Sequence, residues 1–151
     1  MKKKNIVITV CILIGFALVI GFCFSIYANR PKTFSEAKAL CEKFLEKNRA
    51  DMEAIATDAL NSQTDISGHY KKHYYSYNSD ERLVAFDIGA QGMLGGQYWN
   101  LAYSEDGTLY GETEEYIYKE TNGNNIVRAK RINKNWWYIW TDYDGTKMSY
   151  Q

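Results

Sequence analysis

The chain reads as an α+β domain carried behind an N-terminal transmembrane helix. Three observations predict this. Three lysines precede an uncharged run of 22 residues, Ile6 to Tyr27. Apolar residues then recur at steps of three and four across residues 33–61, the period of one amphipathic helix. From Gly68 onward the period falls to two between Gly- and Asn-rich turns, the pattern of antiparallel strands.

As a helix, the uncharged run would rise about 33 Å, enough to cross a hydrocarbon core of roughly 30 Å. Lys2, Lys3 and Lys4 place the N-terminus on the cytoplasmic side. Arg30 and Lys32 weaken that bias without reversing it. A secretory signal would have an apolar core of only about 7–15 residues and a small-x-small cleavage site. Here the core is longer, and Ile26–Tyr27–Ala28 is a passable cleavage site at best. A lipoprotein signal needs a small residue before its cysteine, but Val10 precedes Cys11 and Phe22 precedes Cys23. The expected organisation is a cytoplasmic stub and anchor over residues 1–28 and an extracytoplasmic domain over 29–151. Residues 6–27 would contact membrane lipid, making this a single-pass protein of the cell membrane. Cleavage of the segment stays open.

With Lys2, Lys3 and Lys4 set aside, 15 basic residues face 18 acidic ones. That balance is too mild to imply a nucleic-acid partner, and the basic run Arg128–Lys134 does not by itself make such a surface. Cys41 is alone in the domain, so no internal disulfide is possible there, and a small buried apolar role is expected.

The helix begins with Thr33 and Glu36 at capping-box spacing. Pro31 separates it from the membrane span. Its stripe runs through Phe34, Ala37, Leu40, Cys41, Phe44 and Leu45 and resumes at Met52, Ile55, Ala56, Ala59 and Leu60. Residues 47–51 interrupt it, leaving open one kinked helix or two shorter ones. Fewer than four clean heptads point to packing on a sheet rather than a coiled coil.

The sheet is expected over residues 68–143 as a meander of five to seven short strands. Val84, Phe86 and Ile88 share one face, as do Trp99, Leu101 and Tyr103. Phe86, Trp99 and Leu101 are expected to pack on Leu40, Phe44 and Ile55. Glu105–Thr108 should close a hairpin, with Gly107 supplying the positive φ. Thr121–Asn125 should close another.

Few residues carry the marks of chemistry. Gly89, Gly92, Gly95 and Gly96 lack the following Lys-Ser/Thr of a phosphate loop, and an aromatic strand follows instead of a helix. His69 and His73 stand four apart with two lysines between them, which fits surface histidines better than metal ligands. Glu112, Glu114 and Glu115 have the residue type for glycoside hydrolysis, but sequence neighbours of this kind usually form a solvated face. Asp142–Gly145 opens like a calcium loop but lacks the later acidic positions, so a turn is expected. Neither a cofactor nor a metal is implied.

The aromatic content exceeds what a small core needs. Seventeen of the 84 residues from Gly68 onward are Phe, Trp or Tyr. On the last strand Trp136, Tyr138 and Trp140 point one way, and Trp137 and Ile139 the other. A sheet with one face under a helix should be mostly polar on its other face. The favoured reading is that cross-strand aromatic pairs stabilise a small sheet; the other is that a loop, another copy of the chain, the membrane surface or a ligand covers the second face. Trp136, Trp137, Tyr138 and Trp140 are the candidate binding residues, with one of the adjacent indoles expected in the open.

The stretch "AYSEDGTLYG" followed by "RINKNWWYIWTDY" resembles small single-anchor membrane proteins of Gram-positive, mainly Firmicutes, bacteria. The similarity covers roughly Leu83 to Tyr143 and implies the topology but no mechanism. The expected function is a non-catalytic binding or protein-interaction module, with an envelope protein, peptide or glycan as partner. Two alternatives stand behind it. A pilin-like subunit would carry Gly-Phe-x-x-x-Glu at the start of its apolar helix, whereas Gly15–Phe16 lies mid-span with no such Glu. An envelope hydrolase would act through Glu112 or Glu115.

Overall fold

The computed structural model describes residues 12–22, 31, 33–62, 64–91, 96–119 and 125–143. The chain divides into two units, Met1–Pro31 and Lys32–Gln151. In the first, residues 12–22 form helix α1, whose Leu13, Phe16, Leu18 and Phe22 side chains are all exposed. The rest of the expected span, 6–11 and 23–27, lies outside the described residues. Among the described residues, no helix is long and apolar enough to cross a membrane.

The second unit is α+β. Helix α2 (Phe34–Asn61) precedes seven antiparallel strands in one sheet. These are β1 (Ile66–Tyr70), β2 (His73–Asn78), β3 (Leu83–Gln91), β4 (Gln97–Ser104), β5 (Glu115–Lys119), β6 (Ile126–Arg131) and β7 (Trp136–Asp142).

Helix α2 starts where the sequence places it. Thr33 is extended, and its hydroxyl accepts the Glu36 amide at 3.2 Å, satisfying one of the free N–H groups of the first turn. The helix then runs unbroken to Asn61, straight through residues 47–51. The gap in the apolar stripe is Asn48, which is buried in line with Cys41, Leu45 and Met52. Its amide donates to the Phe44 carbonyl at 2.7 Å, and its side-chain oxygen accepts from the Tyr70 hydroxyl and the Lys71 ammonium. A polar side chain so partnered can occupy the buried face without ending the helix.

The buried line of α2 is Ala37, Cys41, Leu45, Met52, Ala56 and Ala59. This corrects the expected contact through Leu40, while Phe44 and Ile55 do pack against the core, at its edge. Leu40 is 41% exposed, and Phe44 and Ile55 are only half-buried at the margins. The sheet supplies the bulk, and mostly small helix residues let the backbone approach it. Phe86, Trp99, Leu101, Trp136, Tyr138 and Trp140 are all buried on the helix side. Trp99 and Trp140 stand opposite each other on β4 and β7 and stack with ring centroids 5.8 Å apart. Burial pushes the Cys41 thiol up to about 12, far from a reactive thiolate.

The strand order is β1-β2-β3-β4-β7-β6-β5. The first four strands form the expected meander, but the last three are laid down in reverse from the far edge. Glu105–Thr108 therefore does not return the chain as a hairpin beside β4. It begins a crossover, residues 105–114, that carries the chain to β5 at the edge. The β4-β7-β6-β5 set is a Greek-key arrangement. Gly107 does take the positive φ, +78°, and a Cβ there would lie 2.3 Å from the Lys134 carbonyl oxygen.

The glycine-rich stretch has a packing role at its start. The register shifts between Asp87 and Gly89, and a Cβ on Gly89 would sit 2.5 Å from the Trp99 indole nitrogen. The tip, 92–95, lies outside the described residues, and a strand follows it.

Two opposite outcomes test this core. Trp99→Ala should destabilise the domain by about 3–5 kcal/mol in denaturant unfolding, because the stacked indole leaves a cavity. The Tyr138 hydroxyl is buried with no hydrogen-bond partner among the described residues. Tyr138→Phe should therefore leave stability unchanged or raise it by about 1 kcal/mol.

Candidate functional site

Strand β7 is buried on both faces. Trp136, Tyr138 and Trp140 lie under α2, while Trp137 and Ile139 belong to a second cluster with Leu83, Ala102, Leu109 and Ala129. The four candidate binding residues Trp136, Trp137, Tyr138 and Trp140 each have no exposed area. The expectation of one indole in the open is corrected here, and the cover over Trp137 is the crossover.

The crossover is held down by side chains from both sides. Trp137 Nε1 donates to the Gly107 carbonyl at 3.3 Å, and Leu109, 1% exposed, joins its cluster. The Arg131 guanidinium donates to the carbonyls of Thr113, Asn133 and Lys134 at 2.8–3.0 Å, tying the crossover to the β6–β7 turn. Asn135 donates to the Ser104 and Glu105 carbonyls, both at 2.9 Å. The Ser104 hydroxyl and the Thr108 amide donate to Asp106 and hold its carboxyl below the usual range. Much of the basic run Arg128–Lys134 is thus structural.

The crossover covers only part of the second face. Beside it lies an open trough of about 510 Å³, within the size range of ligand clefts. The registers Asn100↔Ile139 and Val127↔Thr141 lay its floor across three strands, with Ala85 and Ser76 continuing it on β3 and β2. Tyr110, Tyr118 and Tyr143 stand along it, each about half exposed. Asn78, Asn100 and Asn125 add amides, and Ser76 and Thr141 add hydroxyls. Among the described residues, Glu81 is the one charged side chain in its lining.

A second cleft of about 270 Å³ adjoins it and shares Glu81, Leu83 and Tyr110. Its walls carry Asp80, Asp106 and the Arg82–Glu105 ion pair. Arg82 and Tyr110 both have positive φ, +50° and +52°. Two non-glycine residues in this sparsely populated region mark tightly constrained turns at the rim.

Other sequence candidates fall elsewhere. His69 and His73 sit on adjacent strands across the β1–β2 turn. His73 is buried against Phe44, contrary to its expected surface position, and its ring Nδ1 meets the Asp87 carbonyl at 2.9 Å. Glu112 and Glu115 line neither cleft, and Glu115 is engaged by Arg128 at 2.7 Å. No group of three or more His, Cys, Asp or Glu that could hold a metal occurs among the described residues. Of Asp142–Gly145, Asp142 is buried and accepts from Gln97 at 3.3 Å, while 144–145 lie outside the described residues.

The trough was missed in the sequence because its residues come from six strands and a crossover. Its one linear signal was the excess of tyrosine. Fold and trough together define a small α+β domain with a half-open sheet face. No family model, curated protein or solved structure matches the chain.

The crossover clamp makes its own prediction. Leu109→Ala should destabilise by about 2–5 kcal/mol. It should also raise acrylamide quenching of tryptophan emission as water reaches Trp137.

Proposed function

We propose that this protein is a membrane-anchored, extracytoplasmic, non-catalytic binding module whose trough takes an uncharged oligosaccharide of the cell envelope. The trough's lining carries the reading. Half-exposed tyrosines present flat apolar area with a polar tip, and amides and hydroxyls between them can both donate and accept hydrogen bonds. A sugar ring offers the matching pair, an apolar C–H face and a rim of hydroxyls. Among the described residues the lining has no cation, which disfavours phosphate, nucleic acid and other anions. The uncharged run Ile6–Tyr27 behind Lys2, Lys3 and Lys4 supports the anchor and the outward placement of the domain.

The test uses the full chain in detergent micelles and soluble neutral oligosaccharides released from the envelope, with binding read by tryptophan and tyrosine fluorescence. Tyr118→Ala and Asn100→Ala should each weaken binding at least tenfold. Tyr74→Ala, an exposed tyrosine outside the trough, should leave it unchanged. Tyr118→Ala and Tyr74→Ala, at exposed side chains, should shift stability by no more than about 0.5 kcal/mol. Wild-type affinity in both trough variants would refute the reading.

A further inference from the structure

The edge strand β5 has a sequence that is complementary to itself. It reads Glu115-Tyr116-Ile117-Tyr118-Lys119 and, among the described residues, pairs with β6 alone, which leaves its other side as a sheet edge. Laid antiparallel on a second copy and centred on Ile117, Glu115 falls opposite Lys119 of the other copy at both ends. Tyr116 then falls opposite Tyr118, and Ile117 opposite itself.

The backbone agrees with that centre. The Arg131 amide donates to the Glu114 carbonyl at 2.9 Å, and residues 114 and 131 continue the register Glu115↔Lys130. In an antiparallel ladder, amide groups alternate sides along each strand. Residues 114, 116 and 118 therefore direct their N–H and C=O groups toward β6. Glu115, Ile117 and Lys119 direct theirs to the free edge. These are the three residues that meet one another in the Ile117-centred pairing, which closes about six backbone hydrogen bonds. Sliding one strand by a single residue would set inward-facing amides against outward-facing ones and lose the ladder, whereas centres on Tyr116 or Tyr118 would keep it but leave Glu115 and Lys119 without each other, so the side chains select the centre.

The side chains fit the same register. Ile117 is 62% exposed and Tyr118 is 49% exposed, large apolar groups for an edge strand. Tyr116–Tyr118 pairs would occupy the closer, non-hydrogen-bonded positions on the trough side, where aromatic cross-strand pairs stabilise a sheet. On the helix side the row becomes Glu115–Ile117–Lys119 facing Lys119–Ile117–Glu115. Among the described residues, Lys119 makes no ion pair within its own chain. Glu115 accepts Arg128 Nε and Nη2 on one carboxylate oxygen, Oε1, which leaves Oε2 for a partner's lysine. Charges on an edge strand usually keep other strands away. Here their opposite signs at symmetric places favour one partner, a strand of the same sequence.

We propose that two copies of this chain join edge to edge through β5, extending the seven-stranded sheets into one continuous antiparallel sheet across a two-fold axis.

The test is charge reversal with cross-linking, on the full chain in detergent, with Cys11 and Cys23 replaced by serine. Ile117→Cys should give a disulfide-linked dimer under mild oxidation. Its symmetric partner would lie about 5.5 Å away between Cα atoms, inside the roughly 4.4–6.8 Å that a disulfide spans. Lys119→Cys should give none, because the two copies of that position would be roughly 13 Å apart along the strands. Adding Lys119→Glu to the Ile117→Cys chain places like charges opposite each other at both ends and should cut the dimer yield at least fivefold. Glu115→Lys should do the same. Mixing those two variants restores an attractive pair at both ends and should recover the dimer, which also shows that neither is unfolded. No cross-link at position 117, or a yield unaffected by charge reversal, would overturn the proposal.

Discussion

The burial of β7 on both faces governs this fold. Five consecutive side chains, Trp136 to Trp140, are at most 9% exposed. Adjacent residues on a strand point to opposite faces. Burying all five therefore requires two separate covers, one on each side of the sheet. Helix α2 is the first and the crossover is the second. Burying a large aromatic side chain is among the strongest single contributions to a small domain's stability. Three indoles and a phenol on one strand make both covers obligatory.

That requirement explains the strand order. A strand buried on both faces belongs in the middle of a sheet. The chain reaches β7 last, so β5 and β6 must be laid down outside it, leaving the space beside β4 for β7 to fill. The crossover from β4 to β5 passes over the second face and becomes its cover. Arg131, Asn135 and the Trp137 indole then bond mainly to backbone carbonyls of the crossover and its adjoining turn. These bonds are specific to a path, where apolar contact alone would allow several.

The same arrangement leaves two regions uncovered. The crossover is too short to spread over the whole second face, so the part floored by Asn100, Ile139 and Thr141 stays open as the trough. Helix α2 packs mainly on β2, β3, β4 and β7 and touches the outer strands through Tyr70 on β1 and Arg128 on β6. At the outermost of these, β5 carries exposed apolar and aromatic side chains on a backbone edge that no other described strand pairs. Both regions follow from covering β7 rather than the sheet as a whole.

The sequence by itself determined the α+β class, the start of the helix at Thr33, and the division of β7 into two faces. Those features depend on residues close together in the chain: a capping hydroxyl three residues from an amide, or a side-chain period of two. The continuity of α2 through Asn48 was decided by Tyr70 and Lys71, which bond to it from the sheet. Which helix residues are buried was decided by the bulk of the facing aromatics. Strand order was decided by the need to cover Trp137, and a β4–β5 hairpin would satisfy the local turn signal equally well. Burial of Trp136, Trp137, Tyr138 and Trp140, and the position of the open trough, were likewise settled only in three dimensions. Periodicity tells which residues share a face of a strand. Only the packed chain decides what lies over that face.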